Sequence, residues 1–138
     1  MLKMLIVEDY PRSKVDPALK YLDSIGLKFE STLFDNICEA QVYIRDNKLD
    51  IDMVIVDLGL PWAKGGFTTD LFSGLTILDE MKRQEINLPI IVNSDTEMPK
   101  EKMEPYESYF TVIKKVDRLD GDWLLKFLEE NLESKIEC

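Results

Sequence analysis

Four short polar motifs in this sequence each follow an apolar run. Glu8-Asp9 follows residues 4–7, Asp57 follows 53–56, Ser94-Asp95 comes just after 89–92, and Lys114-Lys115 follows 110–113. If the runs are parallel strands, these polar residues gather at the carboxyl edge of one sheet, where open α/β sheets bind ligands. Glu8, Asp9 and Asp57 would then crowd three carboxylates together from two adjacent strands, and they cannot all stay ionised without a cation. An all-oxygen donor set favours a hard ion that keeps some of its waters, which means Mg²⁺. Asp57 ends the most central run, and a carboxylate there can attack phosphorus to form an acyl phosphate. Phosphoryl transfer then needs in-line placement and neutralised oxygens, for which Mg²⁺, the Lys114 ammonium and the Ser94 hydroxyl would serve. Taken singly, an acid after a strand is more often a helix cap, a serine a turn hydroxyl and a lysine a solvated strand end. Their joint occurrence at successive strand ends is what points to a phosphate–metal site.

Composition narrows the chemistry further. The chain has 138 residues, the size of one domain spanning 1–138, and 45% of them are hydrophobic, enough for a core. Seventeen Lys and Arg against 27 Asp and Glu leave a net charge of −10, which disfavours binding to nucleic acid or an anionic membrane surface. There is no His, so imidazole catalysis, His-ligated metal and a histidine phosphocarrier role are excluded. Two cysteines are too few for a disulfide framework, and we read Cys38 as a buried thiol and Cys138 as a tail thiol in a reducing compartment. The apolar runs are far too short to span a membrane. Residues 1–7 are cut off by Glu8-Asp9 and do not make a signal-peptide core. A cytoplasmic location is the expectation.

The positioning elements follow from periodicity. Residues 4–7, 53–56 and 89–92 read as strands buried on both faces, 28–34 as a half-exposed edge strand and 110–113 as a fifth strand. Between them, Val15, Leu19, Leu22 and Ile25 mark a helix that Pro17 starts near Asp16. Ile37, Ala40 and Ile44 mark a second helix capped by Asp35 or Asn36, and Leu75, Leu78 and Met81 a third. Residues 95–106, broken by Pro99 and Pro105, predict only a short helix. Leu125, Leu128, Leu132 and Ile136 predict a long closing one. Five strand–helix alternations imply a parallel sheet with helices on both faces, joined by right-handed crossovers.

With these motifs in place, the chain resembles a receiver domain of the two-component response regulators, the CheY-like family. The resemblance is carried by residues 4–9 (MLIVED), 52–61 (DMVIVDLGLP), 74–81 (GLTILDEM), 88–94 (LPIIVNS) and 112–114 (VIK), in the family's order. It implies a flavodoxin-like fold, a three-layer α/β/α arrangement with a five-stranded parallel sheet ordered 2-1-3-4-5. It further implies that Asp57 is the phosphoacceptor, that Glu8 and Asp9 hold Mg²⁺ with the Gly59 carbonyl as a further ligand, that Ser94 is the switch hydroxyl and that Lys114 is the family's lysine. The phosphodonor would be a sensor histidine kinase or a histidine phosphotransfer protein, in keeping with a chain that has no His of its own. With no output module visible after the last helix, output would pass through contact with a downstream protein.

The chain also departs from the family pattern. Lys115 stands where proline is usual, Asp95 where a small residue follows the switch hydroxyl, and Thr111 where an aromatic is customary, beside Tyr109 and Phe110. Gly74 lies 17 positions beyond Asp57 (74 − 57), roughly twice the usual span, and loops of this length tend to be functional. The loop 58–73 holds Trp62, Phe67, Leu71 and Phe72, with Thr68-Thr69 between them. It reads either as a satellite core or as a lid or docking surface over Asp57. Asp95, Thr111 and Lys115 favour the alternative of a phosphorylation-independent receiver-fold binding module. An aspartate-nucleophile phosphatase is disfavoured, because Gly59 occupies the place of the second Asp such enzymes use as acid–base.

Overall fold

The computed structural model describes residues 1–68 and 70–137; Thr69 and the expected tail thiol Cys138 lie outside them. The three continuous apolar runs occupy the middle of the sheet, as burial on both faces requires. They are β1 (Leu2–Val7), β3 (Met53–Val56) and β4 (Ile90–Asn93); β2 (Phe29–Phe34) and β5 (Ile113–Val116), both partly polar, form the edges. All neighbours are parallel and the order is β2-β1-β3-β4-β5, as expected. The helices are α1 (Pro11–Lys14), α2 (Asp16–Ser24), α3 (Ile37–Asn47), α4 (Leu75–Arg83), α5 (Lys100–Tyr109) and α6 (Gly121–Asn131). No helix among the described residues is long and apolar enough to cross a membrane.

The two-residue period of the strands divides the core into two layers. Leu5, Val7, Val54, Val56, Ile90 and Val92 pack with Ile37 and Ile44 of α3, Ile77 and Leu78 of α4 and Tyr106 of α5. Met4, Ile6, Met53, Ile55 and Ile91 pack on the other face with Leu22 of α2 and Leu124, Phe127 and Leu128 of α6. Helix starts follow the sequence signals. The Asn36 side chain accepts the Glu39 N–H at 2.9 Å, and that of Asp120 accepts the Trp123 N–H at 2.8 Å. Pro17 falls in the first turn of α2, as expected, and a separate one-turn helix, α1, precedes it.

Four expectations need correction. The fifth strand begins at Ile113 and not at 110, because Phe110 ends α5 and is buried in the core as its C-cap residue. Helix α5 is longer than predicted and runs through Pro105. The proline costs one helical hydrogen bond, but Tyr106 anchors the turn by burying its ring and donating its hydroxyl to Asp79 Oδ1 at 2.9 Å. The buried stripe of α6 is Leu124, Phe127 and Leu128, continued by Leu132, so Leu125 lies beside it. The helix stops at Asn131, and a short 3₁₀ turn follows. Cys38 is exposed, since the core face of α3 is taken by Ile37, Ala40 and Ile44.

One buried charge joins α3 to α4. Glu80 is 0% exposed; Arg45 Nη2 lies 2.7 Å from its Oε1 and Arg83 Nη1 lies 3.1 Å from its Oε2. Burial pushes the carboxyl up, but hydrogen bonds from Arg45 and Gln84 and the two guanidinium charges outweigh it and hold Glu80 below its ordinary value. The stability it contributes is therefore complete above an unfolded-state pKa of 4.5 and is lost as pH falls through the lower folded value. The two partners differ in what they leave behind. Arg45→Met leaves the buried Oε1 of a charged carboxylate without a partner and should cost about 3 kcal/mol, whereas Glu80→Met frees two half-exposed guanidiniums to water and should cost about 1 kcal/mol or less. Urea denaturation at neutral pH checks the asymmetry; equal losses would contradict it.

Candidate functional site

Register brings the acidic residues together. Val7 and Val56 are paired across β1 and β3, so Glu8 and Asp57 leave the sheet side by side, with Asp57 N–H bonded to the Val7 carbonyl at 3.0 Å. One carboxylate oxygen from each of Glu8, Asp9 and Asp57 lies within 4.8 Å of the others. Glu8 and Asp57 are buried and Asp9 is half-buried. Asp57 Oδ1 accepts its neighbour Leu58 N–H at 2.7 Å, which fixes the carboxylate. Glu8 Oε2 accepts the Tyr10 N–H at 3.3 Å. Glu8 Oε1 and Asp9 Oδ1 are buried with no hydrogen-bond partner.

The residue that sequence reasoning missed is Lys14. Its Nζ lies 3.2 Å from Asp57 Oδ2 and 3.9 Å from Glu8 Oε2. Lys14 ends the single turn of α1, which Pro11 starts, and Asn93 at the end of β4 donates to its carbonyl at 3.1 Å. A one-turn helix has no periodicity to read, and Asn93 is 79 residues away in sequence. The sequence signal, in hindsight, is Pro11 placed two residues after the acidic pair, which turns the chain back over the site.

The electrostatics reflect this crowding. Burial, then the charge of Asp57, pushes the Glu8 carboxyl up to about 9. Burial, followed by the charge of Asp57, also raises Asp9. Burial would lower Lys14, but the charges of Glu8 and Asp57 outweigh it and the ammonium is held above its ordinary value.

Beside Glu8, which is buried behind them, Asp9, Lys14 and Asp57 border a cavity of about 520 Å³. Asp9, Lys14, Asp57, Gly59 and Ser94 line it, so the structure brings most of the expected site residues to one place. Ser94 is buried, and its Oγ accepts the Thr96 N–H at 3.2 Å. Asp95 also lines the cavity, as its position after Ser94 suggested.

Lys114 is not brought there. Because β5 starts three residues later than predicted, Lys114 lies inside the strand, opposite Ile91, and borders a cleft with Trp123 and Phe127 of α6. A strand flips face at each residue, so Lys115 takes the opposite side. Its Nζ donates to the Ser94 carbonyl and to Asp117 Oδ1, each at 2.8 Å. Trp123 is stacked on Phe127 and half-buried. Thr111 is exposed and bonded to Asn87, while Phe110 beside it is buried.

The long loop is closed at its base. Ser73 Oγ donates to the Leu60 carbonyl at 2.6 Å and accepts the Leu60 N–H at 2.9 Å, and Gly74 N–H reaches the Leu58 carbonyl. Such a closure is that of an Ω-loop. The N–H groups of Ile37 and Cys38, at the start of α3, donate to the Pro61 and Trp62 carbonyls. Between these anchors the loop forms a wall of the cavity through Gly65, Gly66, Phe67 and Leu71. Phe67 is 89% exposed and Leu71 64%, so these two do not form a satellite core; of the loop's apolar residues outside its base, Phe72 packs against the main one.

No family model and no curated protein matches the chain, but solved structures do. A response regulator receiver domain protein (CheY-like) from Methanospirillum hungatei is 16% identical and aligns over 97% of this chain and 95% of its own, with a TM-score of 0.68. This chain has the receiver-domain fold. The receiver domain of the Francisella response regulator 1452 is 19% identical over 94% of this chain and 95% of its own, at a TM-score of 0.67. That of NtrX from Brucella abortus is 22% identical over 96% and 99%, at 0.65.

Two predictions follow from the geometry. Without divalent ions, the stability that a protonated Glu8 permits is complete below pH 4.5 and declines as pH rises toward its folded value of about 9. Glu8→Gln should therefore raise the melting temperature in chelator at pH 8, with the gain gone at pH 4.5 or below. Thermal denaturation at the two pH values checks this. A Cβ at Gly74 would collide with the Asp57 carbonyl. Gly74→Ala must thus displace the strand end carrying Asp57 and should destabilise the protein, although Ala is otherwise the better helix former; chemical denaturation measures the sign.

Proposed function

We propose that this protein is a phosphorylation-dependent signalling switch that accepts a phosphoryl group on Asp57 with Mg²⁺ and signals through protein–protein contact. The observation that carries the proposal is the buried, unpartnered pair of oxygens on Glu8 and Asp9 beside the Asp57 carboxylate. Buried acceptors without partners are costly and call for a ligand. The donor set is oxygen alone, which fits a hard divalent ion. Glu8, Asp9 and Asp57 would hold it, and the carbonyl of Gly59, which lines the same cavity, would be a further ligand. Bound there, Mg²⁺ supplies charge neutralisation for the carboxylates and the phosphoryl oxygens.

This chain's own part in the transfer is nucleophilic. An oxygen of Asp57 forms a bond to phosphorus as the donor's P–N bond breaks, and the electron pair returns to an imidazole already protonated on its other nitrogen. The donor is a histidine kinase or phosphotransfer protein, since this chain has no His. Ser94, buried at the cavity wall, lies where it can hold a phosphoryl oxygen by its hydroxyl. Phosphorylation adds nearly two negative charges to a buried site, and Ser94 links it through backbone hydrogen bonding to Val116 of β5. The protein is a switch and not a turnover enzyme: position 59 carries no acid to protonate a leaving group or activate water.

A phosphorylation-independent binding module is the second reading, and Lys14 favours it: an ammonium already neutralises Asp57 without any ion. One experiment separates the two. With Mg²⁺ and acetyl phosphate, the wild type should gain a labile phosphoryl group, seen as a mass increase, and Asp57→Asn should gain none while keeping its circular dichroism. No labelling of the wild type, together with no thermal response to Mg²⁺ plus beryllofluoride, would favour the binding module. A receiver domain of this fold, RstA from Klebsiella pneumoniae, is described as BeF3-activated.

A further inference from the structure

Resting on that reading, we propose that Lys14, from the loop side of β1, is the cation that meets the phosphoryl group on Asp57, in place of a lysine from β5. Phosphoryl transfer needs the equatorial oxygens neutralised, and the cavity itself is hostile to an anion. Asp9, Asp35, Asp57 and Asp95 all line it, and Lys14 is the sole cationic side chain among the described residues that do. Neither β5 lysine competes for the role. Lys114 faces α6, and the Lys115 ammonium is held by the Ser94 carbonyl and Asp117.

The position of Lys14 suits the task. Asp57 Oδ1 is tied to the Leu58 N–H, and the Lys14 ammonium, itself at the cavity wall, sits 3.2 Å from the other oxygen, Oδ2. The backbone of Lys14 is fixed by the Asn93 amide, while its side chain is one-third exposed and retains three rotatable donors. As the P–O bond forms on Asp57 and the donor bond breaks, negative charge moves outward from the carboxylate to the phosphoryl oxygens. The ammonium follows that charge and needs no proton transfer to do so. Before transfer, the same ammonium competes with a divalent ion for Asp57 and Glu8. Lys14 therefore has opposite effects on the two ligands, weakening the ion and holding the phosphoryl group.

The test uses the full chain, acetyl phosphate as donor and saturating Mg²⁺. Lys14→Met should slow phosphorylation of Asp57 by about tenfold or more, Lys14→Arg should restore much of the rate, and Lys114→Met should react as the wild type does. In a separate calorimetric titration with Mg²⁺ and no donor, Lys14→Met should bind the ion several-fold more tightly than the wild type. A residue of merely structural importance would lower stability without tightening that affinity. Should Lys14→Met fail to fold, Lys14→Gln, which keeps a polar tip, takes its place in both measurements. Wild-type rate in the Lys14 variant, or a tenfold loss in Lys114→Met, overturns this proposal while leaving the switch intact. A wild type that accepts no phosphoryl group overturns both.

Discussion

Because Val7 and Val56 are paired in the sheet, the chain cannot avoid placing Glu8 against Asp57. This register is set by the core: slipping either strand by one residue would turn its whole apolar set to the wrong face. The crowding of carboxylates is thus a by-product of the most strongly specified packing in the molecule. Everything around it reads as compensation. Burial and the charge of Asp57 push the Glu8 carboxyl up, Lys14 is swung over from α1, and two buried oxygens are left without partners. At 4 Å, like charges repel by about 4 kcal/mol even at an effective dielectric of 20, a large fraction of the stability of a small domain.

The two buried acidic clusters handle this problem differently. Glu80 is fully sheathed by Arg45, Arg83 and Gln84, and its hydrogen-bonding capacity is met within the protein. It behaves as a structural fastener between α3 and α4. The cluster at the sheet edge has one lysine for three acids and leaves two buried acceptors without a partner. Complete pairing in one place and unpartnered oxygens in the other is what sets the brace apart from the candidate site.

Much of the fold was legible in the sequence because its three central strands are apolar on both faces, a pattern that few other structures produce. Glu8, Asp9, Asp57 and Ser94 were legible for the same reason, each placed by the end of a well-marked strand. Lys114 was misplaced where the pattern weakened. The edge strand reads IKKV, and the more apolar run at 110–113 drew the boundary three residues early, although Phe110 is spent on the core under α5. That slip moves Lys114 from the end of a strand to its interior, where it borders the cleft with α6 instead of the cavity. Lys14 was illegible on different grounds: its helix is one turn long, and its anchor, Asn93, comes from the far half of the chain. Cys38 went wrong because thiols favour interiors, but Ile37, Ala40 and Ile44 already fill the inner side of that helix.

The clamp at the foot of the long loop has a consequence for how such a protein can change. Ser73 and Gly74 fasten the chain back onto Leu58 and Leu60, so the excursion from Pro61 to Phe72 begins and ends at nearly one point. Lengthening a segment whose ends are already together costs little entropy, and its contents can be exchanged without tugging on the sheet. The loop and the acidic edge are therefore separately replaceable parts of the molecule, a modular arrangement in which one can be rebuilt while the other stays fixed.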